Sequence, residues 1–109
     1  MIKMSLAELG AHAEEAAQLL TAMANQKRLM ILCHLLDEEL SVNEIAERVG
    51  LGQSPLSQHL AKLRALGLVA TRRDGQQIYY RLASDEVARV LQTLYNVYCA
   101  PQNGGAKAC

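Results

Sequence analysis

Two segments of helical periodicity meet at Gly50-Leu51-Gly52, and that punctuation constrains the chain more than any other feature. Before it, Ser41-Val42-Asn43-Glu44 spells a capping box. In such a box the Ser side chain satisfies an orphan backbone N–H and the Glu reaches back to the cap. The short helix it opens turns Val42, Ile45, Ala46 and Val49 inward. After the glycines, a polar-led helix runs from about Ser54 to Leu66, with Leu56, Leu60, Leu63 and Leu66 on one face. Pro55 suits its first turn, where a missing N–H costs nothing. Gly67 ends it. Leu68 to Arg73 then alternates as a strand, Asp74-Gly75 signals a hairpin turn, and Gln77 to Leu82 is the return strand.

The flanks read as helices. Ser5-Leu6-Ala7-Glu8 is a further capping box, opening a helix through Leu9, Ala13, Ala16, Leu19, Leu20 and Met23. Asn25 caps the next helix. Its run from Arg28 to Leu36 is too apolar for a surface helix and belongs at the centre, closed by Asp37-Glu38-Glu39. Ser84-Asp85-Glu86 caps a last helix through Val87, Val90, Leu91, Leu94, Val97 and Tyr98. The order is four helices, a hairpin and a fifth helix: a mainly α chain with a β-hairpin wing. Its 109 residues suit one domain. Residues 1–100 are expected to form it, and 101–109 a flexible C-terminal tail. With no Trp and no Phe, the core must be aliphatic. No apolar run approaches the ~20 residues of a membrane span. The N-terminus lacks a signal peptide's apolar stretch, and three Cys argue against a secreted disulfide framework. The expected compartment is the cytoplasm, with no membrane partner.

The 11 basic and 11 acidic residues cancel, but not locally. Residues 41–82 carry Arg48, Lys62, Arg64, Arg72, Arg73 and Arg81 against Glu44, Glu47 and Asp74, while residues 1–40 hold the acidic surplus. A basic middle suits a polyanion. Two short helices joined by a glycine turn and followed by a basic hairpin describe a winged helix-turn-helix, whose second short helix enters the major groove of double-stranded DNA by its N-terminal end. With the leucines inward, Gln53, Ser54, Ser57, Gln58 and Lys62 are left outward. Gln can bond adenine bidentately, Ser can reach base edges or phosphates, and Lys pairs with phosphate. Arg72, Arg73 and Gln76 on the wing can reach a neighbouring backbone or minor groove. His59 either meets a phosphate or fills a packing edge. The plain alternative is a solvated helix face. Dimers place two such helices ~34–36 Å apart. A homodimer surface is expected from Leu6, Leu9, Ala13, Ala16 and Leu20 at one end, and Val87, Val90, Leu91 and Leu94 at the other. The carboxylates lie at helix starts or in polar runs, which gives no basis for an enzyme.

Ala22 to Leu32, Leu40 to Ala46 and Leu56 to Arg64, the last with its Ser57-Gln58-His59-Leu60 block, together resemble the ArsR/SmtB family of dimeric bacterial repressors. The resemblance extends to about residue 99. It implies a homodimer that releases operator DNA when an inducer binds. The family's Cys-Val-Cys metal site would fall where this chain has Ser41-Val42-Asn43. Its zinc-type site would need ligands along the last helix, where Asp85 is followed by Val87 and no His occurs after His59. His12, His34 and His59 are scattered. No metal and no cofactor is expected. Read alone, Cys33 is a small buried hydrophobe and Cys99 an incidental surface thiol, or else the fold brings them together. Ile31 to Leu36 and Leu94 to Cys99 resemble the sulfide- and redox-responsive branch of the family. That resemblance implies that reactive sulfur species such as persulfides attack one thiolate, and that Cys33 and Cys99 then close as a disulfide or polysulfide, loosening the grip on DNA. The other reading is a metal-responsive repressor using Cys33, Cys99 and His34. Cys109 is a third thiol, either inert or able to resolve a Cys99 persulfide or join two chains.

Overall fold

The computed structural model describes residues 4–99; the expected tail, with Pro101 and Cys109, lies outside them. Helix α1 (Leu6–Ala11) starts where the Ser5 hydroxyl accepts from the Glu8 N–H at 3.2 Å. The single first helix expected from the sequence is broken. At His12 the backbone leaves the helical region (φ −113°, ψ 12°), and α2 (Ala13–Met23) begins after it. Asn25 caps α3 (Gln26–His34), its side chain accepting from the Arg28 N–H. That helix ends two residues short of Leu36. A two-residue strand not foreseen in the sequence follows, β1 (Leu40–Ser41).

Both halves of the capping box form at α4 (Val42–Val49). The Ser41 hydroxyl accepts from the Glu44 N–H at 3.2 Å, and the Glu44 carboxylate accepts from the Ser41 N–H at 2.9 Å. Gly50 closes α4 in the left-handed region (φ +68°), which a residue with a Cβ adopts only under strain. Helix α5 (Gln53–Ala65) follows, with Pro55 in its first turn. The hairpin of β2 (Val69–Asp74) and β3 (Gln77–Leu82) pairs Asp74 with Gln77 and Val69 with Leu82. Its two-residue loop is Gly75-Gln76, one residue later than the Asp74-Gly75 signal. Gly75 (φ +63°) occupies the first loop position, where hairpin-favoured turns need a positive φ. Strand β1 pairs with β3, Leu40 opposite Tyr80 and Ser41 opposite Tyr79, giving an antiparallel sheet ordered β1-β3-β2. Ser84 caps α6 (Asp85–Tyr98), accepting from the Val87 N–H. The architecture is a winged helix-turn-helix, mainly α with a small antiparallel sheet.

The core is aliphatic. Ile31 and Leu32 of α3, Ile45 of α4, Leu56, Leu60 and Leu63 of α5, and Val87 of α6 are fully enclosed, with Tyr80 packed against their cluster. Val87 and Leu91 therefore do not form the expected docking stripe; they belong to the chain's own core. Most of the large apolar side chains left outside lie toward the chain's two ends: Leu6 (78 % exposed), Leu9 and Leu20, and Tyr95, Val97 and Tyr98 (67 %). Met30 and Leu66 are exposed mid-chain, so Leu66 does not join the inward face of α5 expected from the sequence.

Candidate nucleic-acid interface and cysteines

The core fixes which side of α5 can meet a ligand. With Leu56, Leu60 and Leu63 enclosed, helical periodicity turns Gln53, Ser54, Ser57, Gln58 and Lys62 out, and all five are exposed. Gly52 caps the helix without a side-chain hydrogen bond, leaving the amide dipoles of its first turn facing outward. His59 is half-buried. Desolvation, and after it the charges of Arg28 and Lys62, hold its imidazole below the ordinary histidine range. His59 is accordingly neutral near pH 7 and sits in a basic corner. Arg28 is itself anchored, its Nε donating to the Ala22 carbonyl at 2.7 Å. Beside α5, an open groove of about 490 Å³ is lined by Ser57, Ala61 and Arg64 on one side and Val42 and Tyr80 on the other.

On the wing, Arg72, Arg73 and Gln76 are all exposed. Their surroundings differ. Arg72 Nε donates to Glu39 at 2.7 Å, its guanidinium lies 4.7 Å from the Tyr79 ring centroid, and Asp74 is 3.9 Å from Nη1. The hydrogen bond to Glu39 is the main reason its pKa is raised. Among the described residues, no ion pair holds Lys62, Arg64, Arg73 or Arg81. The sequence reading missed Glu39 and Tyr79. Tyr79 stands opposite Arg72 because the loop is Gly75-Gln76; the Asp74-Gly75 turn read from the sequence would have set Gln77 there. Glu39, 33 residues from Arg72 in the chain, had no local signal.

The cysteines reverse the expectation drawn from each alone. Cys33, in the last turn of α3, is an exposed free thiol, and partial burial of its sulfur pushes its pKa up. Cys99 closes α6, donates its N–H to the Tyr95 carbonyl at 2.7 Å, and is 5 % exposed. It is disulfide-bonded. A Cys33–Cys99 bridge is thus not the one formed here. Among the described residues, no group of three or more His, Cys, Asp or Glu could hold a metal ion, and His34 gathers no such set around Cys33. A second cavity, of about 540 Å³, lies between α2, the end of α5 and the start of α6, and Cys33 and Cys99 line neither cavity. No helix among the described residues is long and apolar enough to cross a membrane.

An exposed polar face on a glycine-led helix, packed beside a basic hairpin, defines a winged helix-turn-helix DNA-binding module. Residues 25–71 match the model for bacterial regulatory proteins of the arsR family. The transcriptional activator HlyU of Vibrio cholerae is 51 % identical over 88 % of this chain and 89 % of its own length. A structure of reduced HlyU from that organism superimposes with a TM-score of 0.80 over 86 % of this chain and 99 % of that one, at 51 % identity. The transcriptional repressor BigR from Xylella fastidiosa superimposes with a TM-score of 0.85 at 40 % identity, over 89 % of this chain and 99 % of that one. The homodimeric winged helix-turn-helix DNA-binding domain of a Mycobacterium bovis protein does so at 0.71 and 35 % identity, over 89 % of each chain. The chain belongs to the ArsR family of transcription regulators; it is a DNA-binding protein and not an enzyme.

Proposed function

We propose that the protein is a homodimeric cytoplasmic repressor. It holds operator DNA while Cys33 and Cys99 are unlinked, and releases it when reactive sulfur species or oxidants join them. The observation that carries this reading is the placement and state of the two sulfurs. Cys33 is an accessible thiol at the end of the core helix α3, and Cys99, at the end of α6, is already in a disulfide in the folded chain. The likeness to HlyU, one of whose structures is described as reduced, supports a redox signal. The repressor sense follows the likeness to BigR. The dimer follows the homodimeric Mycobacterium bovis domain and the apolar residues exposed on α1, α2 and α6. A regulator of chromosomal DNA works in the cytoplasm. Gln53, Ser54, Ser57 and Gln58 would face base edges, Lys62 and His59 the phosphates, and Arg73 and Gln76 the flanking backbone or groove.

The bridge forms from reduced cysteines in two balanced steps. One thiolate takes the outer sulfur of glutathione persulfide and expels glutathione thiolate. The other thiolate then attacks the inner sulfur and expels hydrosulfide. The tether joins the core helix to the terminal helix. A ~100-fold loss of affinity needs a coupling of only ~2.7 kcal/mol. The test is duplex affinity and intact mass before and after glutathione persulfide, for the wild type, Cys33→Ser and Cys99→Ser. Release should occur in the wild type alone, with a Cys33–Cys99 linked peptide on digestion. Unchanged release in either variant overturns the pairing, and release that tracks added zinc with no mass change restores the metal reading.

A further inference from the structure

We infer that Arg72 is a positioning residue and not a phosphate contact: bonded to Glu39 and stacked on Tyr79, it fastens the wing to the Asp37–Glu39 segment and so sets where the hairpin stands relative to α5. The inference rests on the DNA-binding reading of α5 and the wing.

Three sides of the guanidinium are occupied. Nε is spent on the Glu39 carboxylate at 2.7 Å, Asp74 lies 3.9 Å from Nη1, and the Tyr79 ring covers one face at 4.7 Å. A phosphate drawn to this group would meet two carboxylates along with the cation, and like charges at such range repel. The hairpin register makes the stack a backbone property, since Arg72 and Tyr79 are direct cross-strand partners and share a face of the sheet. Glu39 is equally fixed. It immediately precedes β1, whose Leu40 and Ser41 pair with Tyr80 and Tyr79 on the same strand that carries the stack. The neighbouring carboxylate, Glu38, accepts from Arg48 Nη1 at 3.1 Å. A single acidic run thus grips both α4 and the wing. Arg73 is its counterpart: opposite Ile78 on the other face, exposed, and held by no ion pair among the described residues. It is the cation left for a phosphate. Exposed ion pairs add little to stability, so the latch should show in DNA binding rather than in melting.

The experiment uses a labelled duplex selected from a random 25-base-pair pool by the wild-type protein, with affinity read by anisotropy over a potassium chloride series. Arg72→Gln and Glu39→Gln should each weaken binding several-fold, and the double variant no further, as for two ends of one contact. Both should leave the slope of log K against log salt unchanged. Arg73→Gln should lower that slope by about 0.9, the signature of one lost phosphate contact. In the free wild-type protein, the Arg72 Nε–H should exchange slowly with solvent by nitrogen-15 NMR, persist when the duplex is added, and vanish in Glu39→Gln. A fall of about 0.9 in the slope for Arg72→Gln, tighter binding by Glu39→Gln, or loss of the Nε–H signal on adding duplex each overturns the assignment. Failure of the wild type to bind any duplex would instead remove the DNA reading, and the signal in the free protein would then judge the latch alone.

Discussion

Lys27 Nζ donates to the carbonyl of Val49 at 2.8 Å, so the first turn of α3 caps the last turn of α4. One residue on, Arg28 does the same for α2 through the Ala22 carbonyl. Cations at helix C-termini satisfy orphan carbonyls and complement the helix dipole. These two adjacent basic residues are therefore spent on architecture, joining α3 to the C-termini of α4 and α2. Lys27→Met should lower the unfolding free energy by about 1–2 kcal/mol, seen as a lower urea midpoint at constant slope. A midpoint equal to that of the wild type would show that the contact contributes nothing.

The capping box at α4 gives the protein an acid-sensitive contact. Hydrogen bonds from the Ser41 backbone and side chain hold the Glu44 carboxyl below the usual carboxylate range. A group depressed in the folded state stabilises above its unfolded pKa, and that contribution is lost as pH falls through the folded value. Glu44→Gln should therefore flatten the wild type's loss of stability between about pH 5 and pH 2. Ser41→Ala should cost about 1 kcal/mol at neutral pH. Unfolding curves across that range check both, and parallel acid limbs for wild type and Glu44→Gln would refute the first.

The local elements were legible because local chemistry makes them. Gly50 and Gly75 sit at positive φ where only glycine is unstrained, and Ser41, Asn25 and Ser84 each accept the N–H their sequence context predicts. The rest depends on partners distant in the chain. Strand β1 exists because Leu40 and Ser41 meet Tyr80 and Tyr79, a pairing no local window contains. The break at His12 had no Pro to announce it; Gly10, costing about 1 kcal/mol relative to Ala in a helix interior, was the one local signal, and the apolar periodicity running through it overrode it. On α6 two apolar stripes run along one helix, and periodicity cannot say which packs inward. Val87 and Leu91 do; Tyr95 and Tyr98 do not. Of the DNA-facing set, α5 was legible because three leucines dictate its buried side. The state of Arg72 was not, because it is decided by Glu39.

Those outer stripes carry the dimer prediction. Leu6, Leu9 and Leu20 at one end and Tyr95, Val97 and Tyr98 at the other are too apolar to be left in water without a partner surface. Leu9→Asp and Tyr98→Asp should shift sedimentation from two chains to one at micromolar concentration and weaken duplex binding at least tenfold, with the fold of each chain intact by circular dichroism. A wild type that sediments as a single chain would contradict the dimer outright.

Reactivity at Cys33 should follow from its surroundings. Burial pushes its pKa up although the residue is exposed, so little thiolate is present near neutrality. Iodoacetamide should modify Cys33 more slowly in the folded chain than in urea at about pH 7.5, and the ratio should narrow as pH rises past the ordinary thiol value of roughly 8.5. Mass spectrometry of timed samples measures both rates. Faster labelling in the folded chain would mean that an unrecognised cation activates the sulfur.

His59 is where pH can separate a phosphate contact from a packing residue. Desolvation, then Arg28 and Lys62, hold its folded pKa below the unfolded value of roughly 6.5. Above that value both states are neutral and His59 contributes no pH dependence. As pH falls through it, the unfolded chain takes up the proton first, so folding stability drops until the folded pKa is passed. The wild type should thus lose more thermal stability than His59→Gln between about pH 7.5 and pH 5. Binding to DNA should act in the opposite direction. A phosphate beside His59 offsets the charges of Arg28 and Lys62 and favours the imidazolium, so the complex takes up a proton. Duplex affinity at fixed salt should then tighten between about pH 8 and pH 6, and that tightening should vanish in His59→Gln. Equal pH dependence of binding in the two proteins, with the stability difference retained, would assign His59 to packing alone and leave the phosphate contacts to Lys62 and the wing.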